Sequence, residues 1–152
     1  MLERVVVTGL GAVTALGHNV SSYWEGLVGG QSGVGPITAY DASEQAVQIA
    51  AEIKDLDVVG RLGRKASRRT DRFTQVALIA AEEAVADAGL DFENRELGQN
   101  TAVLLGTAVG GISTLLNGED TLRERGARRV SPLMIPMMMA NAAAGEIAIR
   151  YG

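Results

Sequence analysis

Cysteine is absent from this 152-residue chain, and histidine occurs once, at position 18. Without a thiol the chain holds no disulfide, no thiolate metal site and no catalytic cysteine. One imidazole also excludes any site that draws two from the same chain. No apolar run approaches the roughly 20 residues that cross a bilayer, and the start Met1-Leu2-Glu3-Arg4 lacks the charged-then-apolar layout of a signal peptide. The expectation is a soluble, cytoplasmic protein. Hydrophobic residues make up 47% of the chain, too many for disorder, and the length suits a single domain, 1–152, or a piece of one. There is no internal repeat, low-complexity tract or linker.

Positive charge is scarce overall but unevenly spread. Lys and Arg number 14 against 18 Asp and Glu, so neither nucleic acid nor an anionic membrane is an expected partner. Arg61, Arg64, Lys65, Arg68, Arg69 and Arg72 nevertheless crowd into one short segment whose only acid is Asp71. The bland reading is a solvated helix face. Against it, Arg61, Arg64 or Lys65, Arg68 and Arg72 fall along one helical stripe without compensating acids, and such a stripe repels itself by a few tenths of a kcal/mol per pair. An acidic ligand, a phosphate or a carboxylate-rich helix, would relieve that repulsion.

Arg4 to Thr8 is a β-branched run closed by Gly9-Leu10-Gly11, which predicts a buried strand. Ser21-Ser22 opens a short amphipathic helix with Tyr23, Trp24, Leu27 and Val28, stopped by Gly29-Gly30. From Gln31 to about Gly60 the pattern is loop-rich, with a weak strand near Val47 to Ala51. Between Thr70 and Ala88, Phe73, Val76, Ala77, Ala80, Ala84, Val85 and Ala88 recur at three- and four-residue steps. Thr70 or Asp71 can cap that helix and Gly89 can end it. Its small-residue face allows a close neighbour. Thr101 to Leu105 predicts a second buried strand, ended by Gly106 and followed by a helix from about Ile112 to Arg125. Pro132 and Pro136 then bracket a methionine-rich run, and Asn141 to Tyr151 reads as a last helix. Strand alternating with helix argues for an α/β layered fold. Two firm strands are few for a covered sheet, and the last helix has no strand to return to, so the pattern stops in mid-unit.

The glycines admit two readings. Val5 to Gly11 resembles the start of a dinucleotide fingerprint, but position 14 is Thr14 and no acid stands about 20 residues on at a strand end. A tight strand-to-loop turn is the better reading, with a nicotinamide-dependent reductase as the alternative. Gly106 to Gly111 lacks the Gly-Lys-Ser/Thr of a phosphate loop, and its glycines suit close backbone approach. His18 reads as a turn histidine. Three consecutive methionines, Met137 to Met139, cannot all face inward on one helix, which leaves plain core, a subunit interface or an acyl pocket open.

Taken in order, Arg4 to Gly11, Trp24 with Leu27 and Gly30-Gln31-Ser32-Gly33, Asp71-Arg72-Phe73, Gly106 through Gly110-Gly111, and Val130-Ser131-Pro132 with Pro136 and Asn141 resemble the β-ketoacyl-[acyl-carrier-protein] synthases. The likeness is greatest to the type II condensing enzymes of bacterial fatty acid synthesis and runs over the whole chain. It implies a thiolase-like α/β fold, incomplete here as the N-terminal part of the first half, and a homodimer. It implies decarboxylative Claisen condensation of acyl and malonyl thioesters on acyl carrier protein, without metal or nucleotide cofactor. By the family pattern the nucleophilic cysteine follows a strand beginning shortly after the Tyr-Gly matched by Tyr151-Gly152, and two histidines and a lysine lie later still, so no catalytic residue is assigned on this chain. By the same resemblance Lys65, Arg68 and Arg69 contact the carrier protein, Val109 lines the acyl pocket and limits chain length, and Met134 reaches the partner subunit's pocket. The alternative to an N-terminal portion is a complete, non-catalytic module that binds or sets chain length.

Overall fold

The computed structural model describes residues 4–152. The elements run α1 (Val20–Val28), β1 (Gly35–Pro36), β2 (Ile49–Ala50), α2 (Val58–Arg69), α3 (Arg72–Asp87), α4 (Arg95–Gln99), α5 (Ile112–Arg125), a 3-10 turn (Ala127–Arg129), α6 (Met134–Met138) and α7 (Ala142–Tyr151). The principal packing is α3 on α7, and most of the deeply buried residues lie there: Thr74, Leu78 and Ile79 on α3, Ala143 and Ile147 on α7.

The helix expected between Thr70 and Ala88 forms as α3. Asp71 stands at its N-cap and accepts a hydrogen bond from the Phe73 amide at 3.3 Å, and Gly89, just past the last turn, takes φ +63°. That left-handed position disfavours any residue with a Cβ. The small face of α3 meets the N-terminal segment. A Cβ on Gly9 would lie 2.6 Å from the Ala88 amide, and one on Gly11 would overlap the Ala80 carbonyl oxygen. Two α3 carboxylates hold the same segment: Asp87 accepts from the Leu10 amide at 2.9 Å, and Glu83 accepts from the Ala12 amide at 2.9 Å and the Val20 amide at 2.8 Å. Gly11→Ala forces the segment off α3 and is expected to cost about 1–3 kcal/mol. A urea midpoint unchanged by the substitution would contradict this packing.

Four sequence expectations change. Residues 4–8 and 101–105 are in no strand, and Val5 and Leu104 are 92% and 89% exposed. A strand is defined by its neighbour, and among the described residues the one ladder pairs Gly35 with Ala50 and Pro36 with Ile49, antiparallel. The weak strand near Val47 to Ala51 is therefore the one that forms, against a partner read as loop. The third change is α1, which turns Gly26 inward against Leu16 and leaves Trp24, Leu27 and Val28 exposed. The fourth is α4, capped by Asn94 accepting from the Glu96 amide at 3.0 Å, in a stretch with no assigned element.

The predicted helices at 112–125 and 141–151 form as α5 and α7. Pro136 is tolerated in α6 because it falls in the first turn, where an amide has no intrahelical acceptor. The excursion between β1 and α2 is tied by Glu52, whose carboxylate accepts from the Thr38 hydroxyl and the Thr38 and Ala39 amides. Those bonds, the Thr38 hydroxyl first, hold its carboxyl below the ordinary glutamate value. A compact monomer of this mass, 15.9 kDa, exposes about 7,400 Å². This chain exposes 11069 Å², with large apolar side chains such as Val5, Val28 and Leu104 among those left open.

Candidate functional site

The basic segment divides at Gly63, whose φ of +79° breaks α2 between Arg61 and Arg64. The continuous stripe read from the sequence is therefore not continuous. Arg61 turns to α3, its Nη2 lying 3.8 Å from Glu82, and Arg72 donates to the Ile53 carbonyl at 2.9 Å. Arg64, Lys65, Arg68 and Arg69 remain on the last two turns of α2, and among the described residues no carboxylate pairs with them. Arg68 and Arg69 also sit in the last turn, where the helix dipole favours cations.

The end of α2 is bound tightly to the start of α3. Thr70 donates to the Ala66 carbonyl through both its amide and its hydroxyl, and the Gln75 side chain donates to the Ser67 and Thr70 carbonyls at 3.0 and 2.9 Å. These bonds satisfy carbonyls that a helix end leaves orphaned. Asp71, only 5% exposed, then reaches across to α5, accepting from the Thr114 amide at 2.9 Å and its hydroxyl at 2.6 Å.

The loop before α5 carries Val109, which is 56% exposed. Gly110 and Gly111 serve close approach, as the sequence suggests. A Cβ on Gly110 would lie 2.8 Å from the Met138 carbonyl oxygen and one on Gly111 2.7 Å from that of Met137, and the Gly111 amide donates to the Met138 carbonyl at 3.0 Å. Gly110 also takes φ +80°. Met134 lies against α5, where a Cβ on Gly118 would be 2.5 Å from its sulfur.

A cavity of 330 Å³ brings two of the expected site residues together. Arg68 and Met134 line it with Arg129, Thr114, Thr121 and Ser131. Lys65, Arg69 and Val109 are not in that lining. Arg129 is legible in the sequence only as part of a basic pair, because its proximity to Arg68 depends on how the turn after α5 folds back. Asp71 is legible as a helix cap but not as a bridge between helices.

The dinucleotide alternative meets a specific obstacle. The helix after the first glycines, α1, is capped by its own Asn19, and the Glu83 carboxylate accepts from Val20, so an acid of the protein stands where a pyrophosphate would. Thr14, in the third-glycine position, closes a turn instead, its hydroxyl accepting from the Leu16 and Gly17 amides. His18 lies at the end of that turn, as expected.

The β-ketoacyl synthase N-terminal domain family matches residues 2–152. The chain is 45% identical over 150 residues to the 3-oxoacyl-[acyl-carrier-protein] synthase 2 of Synechocystis sp., covering 99% of this chain and 36% of that protein. It is 42% identical over 149 residues to the enzyme of the same name from Coxiella burnetii, covering 98% of this chain and again 36% of the relative. The chain thus spans about a third of the length of these relatives. Among solved structures, a β-ketoacyl synthase from Burkholderia phymatum superposes with a TM-score of 0.79 at 25% identity, covering 99% of this chain and 37% of that one. The ishigamide ketosynthase/chain length factor superposes with a TM-score of 0.78 at 26% identity, covering 96% and 36%. The fold is that of the ketosynthases, the incomplete thiolase-like arrangement read from the sequence, and the chain belongs to the β-ketoacyl synthase family, matching its N-terminal domain.

Proposed function

We propose that this chain supplies the carrier-docking face and part of the acyl pocket of a 3-oxoacyl-[acyl-carrier-protein] synthase, an acyltransferase of fatty acid biosynthesis. The observation that carries the reading is the set of cations on the last two turns of α2, Lys65, Arg68 and Arg69 with Arg64, left without acidic partners among the described residues. Holding like charges together is unfavourable until an acidic surface arrives, and long-range attraction then speeds the encounter. A ketosynthase of the same fold was solved in complex with its acyl carrier protein, which supports that choice of partner.

In this reading Val109 borders the acyl chain and its size limits chain length, while Met134 extends toward a second subunit of a homodimer. Identity of 45% to a 3-oxoacyl-[acyl-carrier-protein] synthase 2 supports the fatty acid reading. The second reading is a non-catalytic module that binds carrier protein or sets chain length, which the same unpaired cations on α2 would serve. A cooperative melt of the isolated monomer would support that second reading, and association through apolar faces the first.

Lys65→Glu combined with Arg68→Glu is expected to weaken binding to acyl carrier protein by about 10- to 100-fold at low salt. Titration calorimetry at two ionic strengths should show the difference shrinking as salt rises. Equal affinities for the native chain and the double variant at low salt would remove the docking face from α2.

A further inference from the structure

We propose that Asp71 is a positioning residue that holds the Val109 loop in register with the cationic end of α2. One carboxylate caps two helices. Through Oδ1 it accepts from the Phe73 amide in the first turn of α3, and through Oδ2 from the Thr114 amide and hydroxyl in the first turn of α5. The cap of α5 comes from outside because its own N-cap residue, Gly111, has no side chain to offer. Both helix dipoles point their positive ends at the same buried charge.

The position of that carboxylate along the chain gives the bridge its meaning. Asp71 follows Arg68 and Arg69 directly after Thr70, and the turn joining them is locked by Gln75 and by the Thr70 hydroxyl. At its other end the bridge fixes Gly111, whose Cβ, if present, would lie 3.1 Å from that of Asp71. Gly111 closes the loop that carries Val109 and is itself bonded to α6 through Met138. A side chain between the docking cations and the loop is thus hydrogen-bonded to the element that ends the loop. The loop is closed on itself by the Gly110 amide donating to the Thr107 hydroxyl at 3.1 Å and is tied to α6 through Gly111, and Asp71 adds the tie toward the α2 end.

The functional meaning of this bridge rests on the carrier-docking reading, but its geometry can be tested without it. The chain has no cysteine, so pairs of spin labels can be placed freely. Labels at Arg64→Cys and Ala108→Cys report the distance from α2 to the loop, and labels at Ala86→Cys and Ile149→Cys report α3 against α7 as a control. Asp71→Asn is expected to broaden the first distance distribution about twofold while leaving the control unchanged, as local opening does. Thr114→Val, which leaves the α3 cap intact, is expected to give a smaller broadening of the same pair and keeps the test readable should Asp71→Asn unfold. An unchanged first pair in Thr114→Val together with an unchanged or unfolded Asp71→Asn overturns the proposal. Equal broadening of both pairs overturns it too, because it marks a residue of general stability. Titration of the unlabelled chain with acyl carrier protein is read separately: no binding there sinks the docking reading while the distances still decide the role of Asp71.

Discussion

Incubated with acyl carrier protein bearing an acyl thioester, the 152-residue chain is expected to form no acyl-enzyme, and addition of malonyl carrier protein is expected to yield no β-ketoacyl product. Thioester exchange onto the protein needs a nucleophile activated by a neighbouring base or a lowered pKa. The chain has no thiol and one imidazole. That imidazole, His18, sits at the end of the turn closed by Thr14, and among the described residues its side chain makes no hydrogen bond and meets no carboxylate. Serine and threonine hydroxyls without a base are poor nucleophiles at neutral pH. The expected deficit relative to a condensing enzyme is therefore at least about 10⁶-fold, the lower range of enzymatic acceleration. Intact-mass spectrometry would register an acyl adduct directly. A stoichiometric adduct on any residue would overturn the assignment of the chemistry to residues outside this chain.

The second large effect concerns apolar surface. Val5, Val6, Val7 and Leu104 stand exposed in runs outside the one ladder among the described residues, and Trp24, Leu27 and Val28 form an outward face on α1. Patches of this extent mark surfaces that another chain or segment covers. The isolated chain is expected to self-associate and to bind a hydrophobic dye. Replacing Val5, Val7 and Leu104 together by aspartate removes three side chains whose burial is worth about 1.5–3 kcal/mol each, so association should weaken on the order of 10³-fold or more. Sedimentation velocity on the native chain and the triple variant measures this. A native chain that sediments as a dye-negative monomer would mean that these faces close on one another in solution.

The first effect follows from residue identity alone, whereas the second emerges only with the fold, which exposes runs that read as buried strands. The periodic alanines of α3, its Asp71 cap and its Gly89 stop are local signals. Each depends on side chains within one or two turns, and all three appear where the spacing places them. The β-branched runs at 4–8 and 101–105 are equally good signals for strands, yet neither is a strand here, because a strand depends on a partner that can lie anywhere in sequence. The basic stripe fails for a third reason. Charges at helical spacing are visible, but Gly63 at φ +79° ends the helical register between Arg61 and Arg64, and Glu82 and the Ile53 carbonyl draw Arg61 and Arg72 away from the face.

The amino-acid sequence by itself determined the family, the absence of a thiol nucleophile, the principal helices, and the presence of a cationic segment before α3. These are matters of residue identity and short-range spacing. Only the tertiary structure decided which cations stay unpaired, that Arg68 and Arg129 share a cavity with Met134, and that the Asp71 carboxylate caps two helices at once. The bond from Thr114 to Asp71 spans 43 positions. Hydrogen-bond reach is set by distance in space, which the order of residues along the chain does not carry.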